Sequence, residues 1–211
     1  MLRLLTLLAL LVGGSFTGFA AAQDYEEGKD YELITPPLRT SSADKIEVVE
    51  FFAYSCGHCF NFEPMLKQWA DQRGDDVAVN PSPAVWSPPM EPHAKAYYTA
   101  KALGVLDTMH DALFAAFHVD RKRLRDEAEI RAVFVENGVS AEDFTQTYRS
   151  FGVDSQVRQA VARAKGARIS GTPEMMVAGK YRINARAAGG HANMLKIAEF
   201  LVEKERAADP G

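Results

Sequence analysis

Residues 45–59 read Lys-Ile-Glu-Val-Val-Glu-Phe-Phe-Ala-Tyr-Ser-Cys-Gly-His-Cys, and this stretch decides the fold. Its first ten residues are rich in β-branched and aromatic side chains and hold neither Gly nor Pro, so they predict a buried strand. Directly after them stand Cys56 and Cys59, the two cysteines of a 211-residue chain. Residues 60–70 then predict a helix ending near Gly74, with Pro64 expected to kink it because it removes an amide donor. A strand that runs into a thiol pair and on into a helix places Cys56 where unpaired backbone N–H groups point outward. Those groups and the helix dipole favour a negative sulfur, and a protonated His58 adds to the effect. Cys59, one turn later, can face the same sulfur and close a small disulfide. A thiolate stabilised in the reduced protein makes the disulfide form a stronger oxidant.

Upstream, residues 23–44 are polar and turn-rich, and residues 31–34 predict an edge strand. The first 22 residues differ in kind. Arg3 is their one charge, residues 4–12 are an apolar run, and Phe19-Ala20-Ala21-Ala22 offers small residues at an Ala-x-Ala site. This pattern predicts a cleavable secretory signal peptide rather than a membrane anchor, because the apolar run is short for a span. Export implies an oxidising compartment. Yet the one possible disulfide closes a loop too small to constrain much of the unfolded chain. With 47% hydrophobic residues the chain can build a core without covalent staples. The thiol pair therefore reads as chemical rather than structural. A structural zinc site would need four protein ligands. His93, His110, His118 and His191 stand at no zinc-finger spacing and read as surface or helix-packing residues. Net charge is -4, and no basic run is long enough for a nucleic-acid surface. The densest basic cluster, Arg121-Lys122-Arg123-Leu124-Arg125, is flanked by acids and reads as a solvated loop and helix start.

Downstream, residues 76–81 predict a second strand. From Pro88 to Lys165 apolar residues recur at helical spacing in five segments, 91–103, 107–117, 126–137, 141–149 and 154–164, with Gly104, Gly138 and Gly152 as breakers between them. Residues 172–177 and 181–183 predict two strands joined at Ala178-Gly179-Lys180, and residues 191–205 a last amphipathic helix. The order β, α, β, helical block, β, β, α makes the block an insertion, entered and left from one sheet. The expected organisation is a signal peptide over 1–22, an α/β domain over 23–87 and 166–211, and an inserted helical domain over 88–165.

Residues 49–59 look like the active-site segment of DsbA-type periplasmic thiol:disulfide oxidoreductases. Residues 25–31 resemble that family's mature N-terminus, and residues 171–181 resemble its cis-proline segment. The resemblance implies a thioredoxin fold with an inserted helical domain. It implies that Cys56 is the exposed nucleophile and Cys59 its buried partner in a redox-active disulfide, with Gly57 and His58 as the tuning spacer. It implies a cis bond before Pro173, with the backbone at Thr172 free to pair with an extended substrate. It makes Glu50 a buried acid beneath Cys59 that accepts protons during exchange, where the residue alone could also face solvent on an edge strand. The implied activity is disulfide transfer to unfolded exported proteins in the periplasm, by a monomer needing no cofactor or metal, reoxidised by a DsbB-type membrane quinone reductase. The helical insertion is expected to cap the site, and apolar positions around Pro173, including Met175, to floor a peptide groove. A reductase or isomerase is the nearest rival, although the short stretch before the first strand leaves no room for the dimerisation region of dedicated periplasmic isomerases. A peptide-binding chaperone with an idle thiol pair is the remoter rival. The Gly-His spacer departs from the Pro-His of the best-known oxidases and matches protein disulfide isomerases, whose potential is about -180 mV against about -120 mV.

Overall fold

The computed structural model describes residues 24–41 and 44–208. The expected signal peptide lies outside the described residues. Strand β2 (Ile46–Phe52) is an interior strand, next to the β3 edge, of a five-stranded sheet ordered β1-β5-β4-β2-β3. β3 (Val77–Pro83) lies parallel to β2, and β4 (Glu174–Val177) lies antiparallel on its other side. β5 (Tyr181–Asn184) and the short β1 (Glu32–Leu33) continue antiparallel to the edge. The parallel β2–β3 pair requires a crossover, which helix α1 (Gly57–Ala70) supplies, running unbroken with Pro64 inside it. β3 continues two residues past its expected end. It is an edge strand, where Pro81 and Pro83 cost no ladder hydrogen bond on the open side.

β2 is covered on both faces, which is why it reads as a near-continuous apolar run. Val48 packs with Met175, Val177 and Ile183 beneath α1 and α7 (His191–Ala208). Val49 and Phe51 point the other way, onto Ala164, Ala167 and Ile169 at the end of α6 (Phe151–Gly166). Between β3 and β4 the chain makes one 3-10 turn (Pro88–Met90), then α2 (Glu91–Ala102), α3 (Leu106–His118), α4 (Glu127–Glu136), α5 (Ala141–Tyr148) and α6. These helices share a core built on Phe114, Ile130, Phe134 and Phe144, which joins Phe52 and Tyr54 where β2 ends. The insertion is thus seated at the thiol end of the sheet.

Two helix starts follow their sequence signals: Asp126 accepts the Glu129 amide and Ser140 the Asp143 amide. The reading of Gly152 as a breaker is corrected. Ser150 caps α6 by accepting the Val153 amide, so the helix begins at Phe151 and Gly152 lies in its first turn. A cap is worth about 1 kcal/mol, enough to offset the similar propensity loss of one glycine. At the β4–β5 turn, Ala178 and Gly179 both have positive φ, 51° and 68°. A side chain at Gly179 would collide with the Leu38 carbonyl.

Candidate active site

Cys56 closes the turn after β2. Its amide donates to the Ala53 carbonyl at 2.9 Å, and its extended backbone makes it the N-cap of α1. Its sulfur stands where a Ser or Asp oxygen usually caps a helix and accepts the Cys59 amide at 3.3 Å. Both cysteines are free thiols in this structure. The Cys59 side chain is the strongest influence lowering the Cys56 pKa. Burial opposes it, and the Thr172 side chain and the Cys59 and His58 backbone amides reinforce it. The thiol falls from 9.0 to about 5. The Thr172 carbonyl also lies 3.4 Å from this sulfur, where it accepts from the protonated thiol. Ionisation gives up that bond and gains the donors just named.

Cys59 is fully buried, and burial pushes its thiol far up. The hydrogen bond to Cys56 and the charges of Glu50 and Cys56 act in the same direction. The pair is thus asymmetric, one sulfur half-buried and ionised, the other buried and protonated. Glu50 is likewise fully buried, and neither carboxyl oxygen has a hydrogen-bond partner among the described residues. Burial first, then the charges of Glu63 and Cys56, hold this carboxyl well above the usual carboxylate range. Alternation along β2 puts Glu50 on the face of Val48, towards α1 and away from α6.

Sequence reasoning missed a neighbouring buried chain. Glu63 lies on α1 with its Oε2 3.4 Å from His110 Nε2 and its Oε1 3.8 Å from Lys67 Nζ. The other ring nitrogen of His110 pairs with the buried Tyr54 hydroxyl at 2.8 Å. Cys59 and Glu63 are four residues apart and share a helix face, the one signal that could have found Glu63.

The Thr172–Pro173 bond is cis, as is Thr35–Pro36. Glu174 holds the loop before β4 by accepting the Ser170 amide at 3.2 Å, the Ser170 hydroxyl at 2.9 Å and the Asn184 side-chain amide at 2.8 Å. A groove of about 740 Å³ runs beside it, lined by His58, Thr172, Pro173, Arg186 and His191 among others. Met175 does not floor this groove. It pairs with Glu50 in the β2–β4 register, points into the core beneath α1 and α7, and is fully buried. Two histidines read as surface or packing residues stand at the site instead. His118 stacks on Phe60 at 4.9 Å, donates to the Tyr54 carbonyl at 2.8 Å and lies 3.9 Å from where a Gly57 Cβ would be. His191 lies 6.0 Å from His58 between ring centroids, and burial, then His58, lowers its pKa. His93 is a packing residue as read, donating to the Leu124 carbonyl at 2.9 Å. Among the described residues no three His, Cys, Asp or Glu side chains converge on a metal site, and no helix is long and apolar enough to cross a membrane.

A family model described as DSBA-like thioredoxin domain matches residues 89–202, which spans the insertion and the cis-proline loop and begins after the thiol pair. The thiol:disulfide interchange protein DsbA of Pseudomonas aeruginosa is 38% identical over 98% of this chain and 99% of its own length. That of Bordetella pertussis is 37% identical over 95% and 96%. The crystal structure of Pseudomonas aeruginosa DsbA covers 87% of this chain and 96% of that one, with a TM-score of 0.84 and 38% identity. The structure of the oxidoreductase DsbA from Xylella fastidiosa gives a TM-score of 0.79 at 32% identity, covering 84% and 96%.

Proposed function

The chain belongs to the DsbA-like thioredoxin family and is a thiol:disulfide oxidoreductase, and on that premise we propose that Cys56 and Cys59 carry the disulfide it passes to reduced exported proteins in the periplasm. The asymmetry of the two sulfurs carries this reading. In the oxidised form a substrate thiolate attacks the more accessible Cys56 sulfur, and a substrate–Cys56 mixed disulfide forms as the Cys56–Cys59 bond breaks. The departing Cys59 sulfur is buried and takes a proton, which the protonated Glu50 carboxyl supplies before solvent refills it. The substrate's second thiolate then attacks the substrate sulfur of the mixed disulfide. Cys56 leaves as a thiolate, and its pKa of about 5 makes it a good leaving group. The substrate gains one S–S bond, and the enzyme keeps the electron pair as a thiolate and a thiol.

The remaining parts serve presentation. Backbone at Thr172 pairs with an extended segment of substrate beside the sulfur. Reoxidation falls to a DsbB-type membrane quinone reductase, the protein acts as a monomer, and no cofactor enters because the sulfur pair holds the electrons. The signal-peptide pattern of residues 1–22 and the DsbA relatives support a periplasmic site of action. A reductase is the weaker reading, because a stabilised thiolate destabilises the disulfide and makes it oxidising. The test is oxidation of a reduced, unfolded protein with two cysteines by wild type and Cys56→Ala. Activity confined to wild type is expected, and equal activity in both overturns the reading.

A further inference from the structure

A second cleft, of about 750 Å³, opens next to the thiol pair and shares no lining residue with the groove at Thr172–Pro173. It begins at exposed Ser55, the residue before Cys56, and Met90 and Phe117 form its apolar floor. Its rim is Arg121, Lys122, Arg123 and Arg125, from the segment between α3 and α4, and no acidic residue lines it. Lys122 is engaged by Glu136 at 2.9 Å. Arg121, Arg123 and Arg125 are exposed and have no ion-pair partner among the described residues. The segment is nevertheless held in place: the Lys122 amide donates to the Ala116 carbonyl at 2.8 Å, Leu124 is buried, and His93 binds the Leu124 carbonyl. In a chain of net charge -4, this concentrates positive charge beside the reactive sulfur.

We propose that this cleft receives acidic residues flanking the substrate cysteine, so that the protein prefers polypeptides whose thiols are bordered by Asp or Glu. The proposal rests on the exchange reading and adds a substrate class to it. A segment paired at Thr172 passes Cys56 and continues over Ser55 towards the arginine rim. Because Ser55 and the arginines line one cleft, residues close in sequence to the substrate cysteine face that rim. Guanidinium groups match carboxylates geometrically, and the field of the cluster speeds encounter with an acidic chain. The same field favours the ionised substrate thiol, which is the attacking species.

The experiment compares three two-cysteine peptides that differ only in the residues flanking one cysteine: glutamates, lysines or serines. Wild type is expected to oxidise the glutamate peptide with a kcat/KM roughly three- to tenfold above the lysine peptide at low salt, as a few exposed charge pairs allow. The ratio should shrink towards one at about 0.5 M salt, where charges beyond a few ångströms are screened. In Arg121→Glu/Arg123→Glu it should invert, and because it is a ratio within one variant, any general loss of activity cancels. A ratio of one in wild type at low salt, or one unchanged by the charge reversal, overturns the cleft as the selecting element. Oxidation of none of the three peptides overturns the exchange reading beneath it.

Discussion

Replacing Cys59 with alanine removes the strongest of the groups that lower the Cys56 pKa, leaving the Thr172 side chain and two backbone amides. A hydrogen bond to a charged group contributes about 1.5–3 kcal/mol, and one pKa unit corresponds to about 1.4 kcal/mol. Loss of the Cys59 donor should therefore raise the Cys56 pKa by about one to two units, from about 5 to roughly 6–7. It should not return to 9.0, because Cys56 still caps α1 and its sulfur still accepts the amide of residue 59. Cys59→Ser keeps a donor at nearly the same reach and should hold the pKa near that of wild type. Each variant has a single thiol, so thiolate absorbance in the ultraviolet, or alkylation rate against pH, reports Cys56 alone. An unchanged pKa in the alanine variant, or an equal rise in the serine variant, would refute the sulfur-to-sulfur hydrogen bond as the main cause.

The reduced protein should gain stability over the oxidised form as pH rises. The folded Cys56 pKa lies below its unfolded value, so the contribution is complete above about pH 9 and is lost as pH falls through about 5. Discounted for the half-exposed sulfur, it amounts to about 2–3 kcal/mol, and Cys59, whose thiol is pushed upward, leaves that window unchanged and opposes the gain only above about pH 9, where the unfolded thiol ionises. Denaturant unfolding of both redox forms at stepped pH measures it, and a flat difference would contradict it. Glu50→Leu should stabilise the protein by about 1–3 kcal/mol near pH 8, with the gain fading towards pH 4, because the fold keeps this unpartnered carboxyl protonated while the unfolded chain ionises above about 4.5, so folding must take up a proton. Denaturation midpoints check it, and a gain that ignores pH would show that the carboxyl is not the cause. Glu50→Gln should slow formation of the mixed disulfide, the step in which the Cys59 sulfur takes a proton, in stopped-flow measurements, and an unaltered pH–rate profile would remove Glu50 from proton transfer. Gly57→Pro should fold and gain about 0.4–1 kcal/mol, since the first helical position suits proline and the nearest atom to a new Cβ is 3.9 Å away. The Gly57 amide is not among the donors that lower the Cys56 pKa, so the proline should leave that value near 5.

Residues 45–59 carried the fold in their pattern because β2 is covered on both faces and runs directly into a helix whose start is the thiol pair. Chain order alone identified the insertion, and local caps such as Asp126 and Ser140 marked its helices. Gly152 was misread where a serine cap outweighed it, and β3 ran past Pro81 because only an edge strand tolerates such residues. The geometry of the candidate site was legible where it is local, in Cys56 at the start of a helix, a buried Cys59 and a cis Thr172–Pro173 bond. It was hidden where it depends on α3 and α7 docking against α1. His110 meets Tyr54 across 56 positions and His118 meets the Tyr54 carbonyl across 64, separations that no periodicity reports. Met175 went astray for a related reason, since the β2–β4 register, unseen in one sequence, turns it inward beside Glu50.

The central claim is that an ionised Cys56 and a buried Cys59 make an oxidant, and equilibration with glutathione buffers tests it most directly. The fraction of Cys56–Cys59 disulfide at each buffer ratio gives the reduction potential. A potential between about -180 and -120 mV is predicted, where thiolate stabilisation of the Cys56 kind places such pairs. A potential at or below about -270 mV, the range of thioredoxin, would make the protein a reductant and contradict the account.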